Sequence, residues 1–346
     1  MDDEKRTEIN ELGEFGLIDF LTKNNETRNA GTILSVGDDA AVVDHFGKQT
    51  VVTTDMLIEG IHFDMAYTPL KMLGYKSVIV NLSDVYAMKA IPQQITVSVA
   101  LSNRYSVEAL SELYEGIYEA CDRYQVDMVG GDTIPSPKGL IISVTALGEV
   151  SPGKFVTRSG AQTNDLLCVS GDLGSAYLGL TLLEREKKVF LETKGVQPDF
   201  EGQKYIVQRF LKPEARKDII EFFEEKQIQP TSMIDISDGL SSEILHLCKR
   251  SRKSCVLYED KIPIDDGAKQ FAYKLEMDPT MCALNGGEDY ELLFTLSQKE
   301  YDKIKDNTDI TVVGYIVDEG PKPKIITRGG AEHPLVAQGW NPIHVK

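Results

Sequence analysis

Short apolar runs alternate with longer stretches of helical spacing along this chain, and turns rich in Gly, Asp and Pro separate them. In the first half the apolar runs predict strands at 40–43, 51–54, 94–101, 126–129 and 140–150. Helical spacing predicts helices at 69–89 and 106–124. This order of elements is typical of an α/β fold of the α+β type, in which helices cover one face of a mixed sheet.

The loop Ser151-Pro152-Gly153 predicts a domain boundary, because Pro and Gly interrupt regular structure. We therefore expect two domains, residues 1–150 and a second α/β domain at 151–346. An amphipathic helix is expected at 14–23, and the charged, weakly periodic residues 184–204 indicate a surface excursion.

The stretch Ser232–Glu243 combines the pattern of a buried strand with acids that this pattern does not explain. Asp235 stands among apolar residues, where a carboxylate is costly unless it has a partner. No Lys or Arg lies in the stretch to supply one. Ser237 and Asp238 follow in a turn before a helix. Either could be an N-cap residue, or a ligand-binding residue at the carboxyl end of a strand.

Other acids occupy comparable places. Asp39, Asp55 and Asp132 stand at predicted strand ends, and Asp84 lies inside a predicted helix, three residues after Asn81 and on the same face. If these carboxylates converge, each pair 4 Å apart repels by about 4 kcal/mol at an effective dielectric of 20. Their pKa values must then rise, or cations must bind.

Carboxylate and hydroxyl oxygens without a His or Cys cluster favour Mg²⁺ over Zn²⁺. Mg²⁺ held by carboxylates commonly shares its coordination with substrate phosphates. The pattern therefore indicates phosphoryl transfer or another use of ATP, although the chain has no Walker A motif. The alternative is that these acids belong to unrelated caps and turns.

Composition narrows the choice of partners. The net charge of −17 over 346 residues argues against nucleic acid, whose phosphates would be repelled. The chain contains no run of about 18 apolar residues, so the sequence predicts no membrane span. The charged N-terminus lacks the apolar core of a secretory signal. The five cysteines lack metal-ligand spacing and indicate reduced, buried thiols. We therefore expect a cytoplasmic protein that binds neither nucleic acid nor membrane.

Nine motifs in one order resemble those of the thiamine-monophosphate kinases, a family within the larger group related to aminoimidazole ribonucleotide synthetase. They cover nearly the whole chain: GEFGLI (13–18), VGDDAAVV (36–43), TTDMLIEGIHF (53–63), NLSDVYAM (81–88), VGGDT (129–133), TRSGA (157–161), SGDLGSAYLGL (170–180), IDISDGLSSE (234–243) and NGGEDYELLFT (285–295). The resemblance implies a two-domain enzyme that uses ATP and Mg²⁺ to convert thiamine monophosphate to thiamine diphosphate.

The resemblance also implies roles for particular residues. Several Mg²⁺ ions would be bound by Asp39, Thr53, Thr54, Asp55, Asp84, Asp132, Asp235 and Asp238. The nucleotide would contact Tyr114, Gly131, Asp132, Arg158 and Ser237. Thiamine monophosphate would contact His62, Glu288 and Trp340.

The family implies a homodimer formed through the N-terminal sheets. The acceptor phosphate is already ionised at neutral pH, since its second pKa is near 6. We therefore expect direct in-line transfer without an obligatory general base. Two alternatives stay open. One is another ATP-using enzyme of the same superfamily, similar to aminoimidazole ribonucleotide synthetase. The other is a non-catalytic protein that binds divalent cations or nucleotides.

Overall fold

The computed structural model describes residues 32–34, 38–45, 47–102, 104–193, 196–320 and 322–338. The helix expected at 14–23 and the predicted substrate contact Trp340 lie outside these residues. None of the helices in the described ranges is both long and apolar enough to span a lipid bilayer.

The first half of the chain forms a mixed sheet with strand order β1-β2-β3-β6-β4-β5, in which β4 and β5 run parallel. Its strands are β1 Thr32–Leu34, β2 Ala41–His45, β3 Lys48–Ile58, β4 Ile91–Leu101, β5 Asp127–Pro135 and β6 Ile141–Val150. Helices α1 (Leu70–Ala87) and α2 (Val107–Tyr124) pack against each other, and α1 also packs on the sheet.

Helix α1 is buried around almost its whole circumference, because the first sheet, α2 and the second half of the chain all contact it. Between Leu73 and Ala87 every residue except Asp84 is buried. The approach to α2 depends on Gly74, where a Cβ would lie 1.9 Å from the Leu113 carbonyl oxygen. The helix is therefore fixed between the two halves of the molecule.

The second half forms another mixed sheet, with order β13-β12-β9-β11-β7-β10-β8. Its strands are β7 Leu166–Ser170, β8 Ser232–Asp235, β9 Ser254–Tyr258, β10 Leu292–Leu296, β11 Ile310–Val317, β12 Lys324–Ile326 and β13 Glu332–Pro334. Its α-helices are α3 Ser175–Glu192, α4 Lys204–Leu211, α5 Lys217–Glu225, α6 Leu240–Ser251, α7 Asp266–Lys274, α8 Pro279–Asn285 and α9 Tyr301–Ile304. Short 3₁₀ helices lie at Glu259–Lys261 and Gln298–Glu300.

The apolar core continues from the first sheet into the second half of the chain. Phe223 of α5 and Phe294 of β10 belong to the same buried cluster as the residues of α1, and their rings meet edge to face with centroids 5.1 Å apart. A shared core restricts relative motion of the two sheets, since packed interiors deform little.

Four elements differ from the sequence-based expectation. Strand β3 continues past Thr54 to Ile58, so Asp55 lies within the strand and not at its end. Strand β4 begins at Ile91 and passes through Pro92, where a register shift against β6 accommodates the ring. Strand β5 does not end before its two glycines but continues to Pro135. Helix α3 runs to Glu192, so the first part of the expected surface excursion is helical.

Candidate active site

A cavity of about 840 Å³ lies between the two halves, and carboxylates from both line it. Six of the acids are Asp39, Asp55 and Asp84 from the first half, and Asp235, Asp238 and Glu288 from the second. Two more, Asp64 and Glu184, line the cavity and pair with Lys187. The structure therefore brings into one cleft acids that are up to 249 positions apart in the chain (39 to 288).

The β2–β3 hairpin and helix α1 position the acids of the first half. Ala41 pairs with Val52, which sets the residues just before β2 beside Thr53. The Thr53 hydroxyl donates to Asp84 Oδ2 at 2.6 Å. Two residues further along β3, the Asp55 N–H donates to Asn81 Oδ1 at 2.9 Å. The one-turn spacing on the helix thus matches the two-residue repeat of the strand.

Asp39, Asp84 and Asp235 form the centre of the cleft, with one carboxylate oxygen from each lying within 4.8 Å of the others. Burial raises the pKa of all three, that of Asp235 to about 7 and that of Asp84 well above its ordinary value. Their mutual repulsion raises the pKa of Asp84 and Asp235 further. Nearby Asp55 is raised to about 6, first by burial and then by the charges of Glu288 and Asp39.

The sequence shows no basic neighbour for these acids, but the fold supplies one. The guanidinium of Arg158 binds Asp39 Oδ1 through Nη2 and, at 3.0 Å, through Nε. The Arg158 backbone N–H donates to both carboxylate oxygens of Asp38, at 3.0 and 3.1 Å. Asp235 has a different partner, since its Oδ2 accepts from the Ser83 hydroxyl at 2.7 Å.

The donor set fits a hard divalent cation. Oxygen ligands from three carboxylates converge, and no His or Cys belongs to the group found among the described residues. Asp39 Oδ2 is buried and has no hydrogen-bond partner among the residues that the structure describes, although its other oxygen is paired with Arg158. A buried carboxylate oxygen without a partner is costly, and a cation would satisfy it.

The turn after β8 does not cap helix α6 with a side chain. The N-cap residue is Gly239, with φ of 116°, so neither Ser237 nor Asp238 has the capping role that the sequence left open. Both line the cleft instead. Glu243 reaches back from the first turn of α6 and accepts from the Asp238 N–H at 3.1 Å.

Thr54 faces away from the acids. Its hydroxyl donates to the Val144 carbonyl at 3.0 Å and lies 3.0 Å from the hydroxyl of Thr145 on the opposite face of the first sheet. This follows from the alternation of side chains along a strand, because Thr53 and Asp55 point toward α1. The Thr54 side chain therefore does not join the carboxylate cluster.

Three predicted nucleotide contacts lie outside the cleft. Gly131 and Asp132 belong to the exposed edge strand β5, and the expectation that Asp132 stands at a strand end is wrong. A Cβ at Gly131 would lie 1.9 Å from the Val97 carbonyl oxygen, so the glycine allows β5 to pair closely with β4. Tyr114 lies half-buried on α2, its ring centroid 6.1 Å from that of Tyr118.

The predicted substrate contacts His62 and Glu288 both line the cleft, and the Glu288 N–H donates to the Ser237 carbonyl at 2.7 Å. His62 Nδ1 accepts from the Ile58 N–H at 3.1 Å, and burial lowers the pKa of the imidazole. The carboxylate of Glu288 is paired with Lys76 of α1. Four aromatic side chains also line the cavity: Phe63, Tyr67, Tyr177 and Phe210.

Sequence reasoning missed two residues beside the site, Ser83 and Lys76. Both are polar residues within the buried part of α1, and a buried polar group requires a partner. That signal was present in the sequence, although the partners come from the second half of the chain and could not be read from it.

Comparisons with known proteins agree with this geometry. The family model "AIR synthase related protein, N-terminal domain" matches residues 37–150. The thiamine-monophosphate kinase of Aquifex aeolicus (strain VF5) is 37% identical over 302 residues, which are 87% of this chain and 92% of that protein. The thiamine-monophosphate kinase of Bacillus subtilis (strain 168) is 32% identical over 336 residues, covering 95% and 99%.

Solved structures give the same picture. AaThiL complexed with AMPPCP and TMP superposes with a TM-score of 0.83 at 32% identity, covering 98% of this chain and all of that one. The hydrogenase maturation protein HypE in complex with ATP has a TM-score of 0.70 at 17% identity, covering 97% and 99%. That second likeness concerns the fold alone. Together the comparisons confirm the predicted fold class.

Asp235→Asn should change how stability depends on pH. The folded-state pKa of Asp235, about 7, lies above its ordinary value of 3.8. This carboxyl therefore lowers the free energy of unfolding as pH rises from about 4 to about 7. Relative to the wild type, the metal-free variant should gain roughly 2–3 kcal/mol between pH 5 and pH 8. Urea unfolding in EDTA measures this difference. Exposed Asp122→Asn is the control, and an equal change in both variants would contradict the assignment.

Arg158→Met should strengthen cation binding by the nucleotide-free protein, because it removes the positive charge that neutralises Asp39. We expect Mn²⁺ affinity to rise about tenfold, the effect of one nearby charge on a buried site. Titration followed by the EPR signal of free Mn²⁺ measures it, with exposed Arg185→Met as the matched control. Weaker Mn²⁺ binding in Arg158→Met would show that Arg158 does not compete with a cation at Asp39.

Proposed function

The chain belongs to the thiamine-monophosphate kinase family, and we propose that its acidic cleft transfers the γ-phosphoryl group of ATP directly to thiamine monophosphate. The comparisons confirm the resemblance drawn from the motifs, and they give no support to the alternative functions. The observation that carries the proposed mechanism is the convergence of acids from both halves on one cavity.

In this proposal an oxygen of the acceptor phosphate attacks the γ-phosphorus, and the bond from that phosphorus to the β–γ bridging oxygen breaks. ADP leaves with the bonding electron pair, and thiamine diphosphate is formed. No proton must be removed first, because the acceptor is ionised above its second pKa near 6. The chain's task is positioning and charge compensation, as in other phosphoryl transfers.

Mg²⁺ would be held by Asp39, Asp84 and Asp235, with Asp55 and Asp238 at the margins of the same site. When bound, it would neutralise the phosphates and the developing charge between them. Asp39 Oδ2 is buried and has no hydrogen-bond partner within the described ranges, which supports this part of the proposal. Arg158 and Ser237 would contact the nucleotide from the second half.

The aromatic and acidic side chains around Glu288 suit the organic part of thiamine monophosphate. Its thiazolium ring carries a positive charge, which a carboxylate and aromatic faces both attract. Glu288 supplies the carboxylate, and Tyr67, Tyr177 and Phe210 supply aromatic surface. His62 lies in the same wall and would contact the substrate.

We also propose that the chain acts as a homodimer, with residues 1–150 as the dimerisation domain and 151–346 completing the site. The face of the first sheet that α1 and α2 leave uncovered carries a cross-strand row of Ile58, Ile141, Ala100 and Ile134. Ile134 is 51% exposed, as is Met56 in the next row. Exposed apolar surface of this kind supports association with a second copy.

Dimerisation would also explain why part of the predicted nucleotide site lies outside the cleft. Asp132 shares the open face, in a row with Ser98, Ser143 and Met56. In a dimer joined through this face, Asp132 would complete the cleft of the second copy. A cytoplasmic location is proposed because all five cysteines are buried and free, as expected in a reducing compartment.

Asp84→Asn should lower kcat by at least about a hundredfold, the usual cost of losing one electrostatic group at a reacting centre. Retained affinity for thiamine monophosphate and an unchanged far-UV spectrum would show that the fold and acceptor site survive. The assay is ADP release with thiamine monophosphate present and absent, and exposed Asp122→Asn is the control. Near-normal turnover of Asp84→Asn at saturating Mg²⁺ would refute the assignment.

Asp132→Asn and Asp84→Asn, each inactive alone, should restore activity when their subunits are mixed. If Asp132 serves the cleft of the second copy, random mixing leaves about a quarter of all sites with both wild-type residues. We expect roughly that share of wild-type turnover after subunit exchange, followed by light scattering and the ADP assay. No recovery despite demonstrated exchange, or a monomeric wild type, would contradict the arrangement.

A further inference from the structure

We propose that Lys76 is a positioning residue for the phosphoryl acceptor. Its ammonium holds the carboxylate of Glu288 in the wall of the cleft. This inference rests on the proposed function, because it concerns the binding of thiamine monophosphate by Glu288. It assigns a role to a residue that no motif argument singled out.

Lys76 is a buried lysine with three partners in the second half of the chain. Only 4% of the residue is exposed. Its ammonium donates to the Phe210 carbonyl at 3.0 Å, lies 3.9 Å from the centroid of the Phe210 ring and pairs with Glu288. A buried ammonium is costly without such partners. The ammonium of Lys76 is therefore held by residues of the cleft wall and not by groups of its own helix.

Helix α1 carries both Lys76 and Asp84, a member of the carboxylate cluster. Asp84 lies eight residues further along the same helix, about 12 Å at 1.5 Å per residue. That helix is buried between both halves and cannot easily shift. Lys76 therefore sets Glu288 at a fixed distance from the carboxylate cluster at Asp84.

Glu288 needs such a restraint because its backbone and its neighbours both disfavour the observed position. Its φ is +63°, in the left-handed region that non-glycine residues rarely adopt, and Tyr290 has φ of +52°. The charge of Glu288 also acts on Asp55 across the cleft. The ion pair with Lys76 offsets that repulsion and leaves 27% of the Glu288 side chain exposed.

Loss of Lys76 should weaken the binding of thiamine monophosphate in particular. A carboxylate held by Lys76 on one side can meet the cationic part of thiamine monophosphate on the other. Loss of Lys76 frees Glu288 to move, which weakens acceptor binding. ATP contacts are proposed at the side chains of Arg158 and Ser237, neither of which pairs with Lys76. Glu288 meets Ser237 through the backbone alone, its N–H donating to the Ser237 carbonyl at 2.7 Å. Loss of the Lys76 side chain leaves that bond in place, so we expect ATP binding to change much less than acceptor binding.

The test is a double-mutant cycle with Lys76→Met, Glu288→Gln and the double variant. Lys76→Met should raise KM for thiamine monophosphate by tenfold or more, typical for truncating one partner of a buried charge pair. Its kcat and its KM for ATP should stay within about twofold of wild type. In the Glu288→Gln background, Lys76→Met should have no further effect, because the residue acts through Glu288.

Lys212→Met is the matched control. Lys212 also pairs with a glutamate, Glu119, and lies over an aromatic ring, 4.6 Å from the centroid of Tyr75. Glu119 does not line the cleft, whereas Glu288 does. Its KM for thiamine monophosphate should stay unchanged. Lys76→Gln serves as a second variant if Lys76→Met does not fold, since Gln keeps a donor for the Phe210 carbonyl.

Additive effects of the two substitutions, or equal rises in KM for both substrates, would overturn the inference and leave Lys76 as a purely structural tie. A wild-type protein that releases ADP without dependence on thiamine monophosphate would instead overturn the proposed function. The two failures are therefore distinguishable in one set of assays.

Discussion

Three carboxylates packed against one another, Asp39, Asp84 and Asp235, impose the constraint on which the rest of the structure depends. Burial raises the pKa of each, and repulsion adds to the shift for Asp84 and Asp235. A fold that needed only stability would not collect such groups, since apolar residues in the same place would be less costly. Their convergence is therefore best explained by a cation-dependent reaction.

Helix α1 allows the molecule to bear that constraint. It contributes Asp84, Asn81 and Ser83 beside the carboxylate cluster and Lys76 beside Glu288, and packing on all sides keeps these groups in place. Buried charged and polar side chains destabilise a fold unless they have partners. Here each one has a partner from another element, so the helix joins the two halves while it holds the groups proposed to bind both substrates.

Local patterns predicted five of the six strands and both helices described in the first half, because period and turn chemistry are local properties. In the second half they missed the short helices at Lys204–Leu211 and Pro279–Asn285 and the last two strands. The partners of the acids were beyond reach, since Arg158 and Asp39 are 119 positions apart and meet only through the fold. The orientation of Thr54 is a different case. Side chains alternate along a strand, so Thr53 and Thr54 must face opposite sides of the sheet. Only one of the two hydroxyls can therefore join the carboxylate cluster, and this could have been seen in the sequence. Asp132 was misplaced because two glycines were taken as the end of a strand.

We propose that the carboxylate cluster holds divalent cations against the phosphates of both substrates. Diffraction from crystals grown with Mn²⁺, a non-hydrolysable ATP analogue and thiamine monophosphate tests it directly through anomalous scattering. We predict anomalous peaks within about 2.5 Å of carboxylate oxygens of Asp39, Asp84 and Asp235, between the two bound phosphate groups. Both substrates bound in the cleft with no anomalous peak at these three residues would contradict the claim.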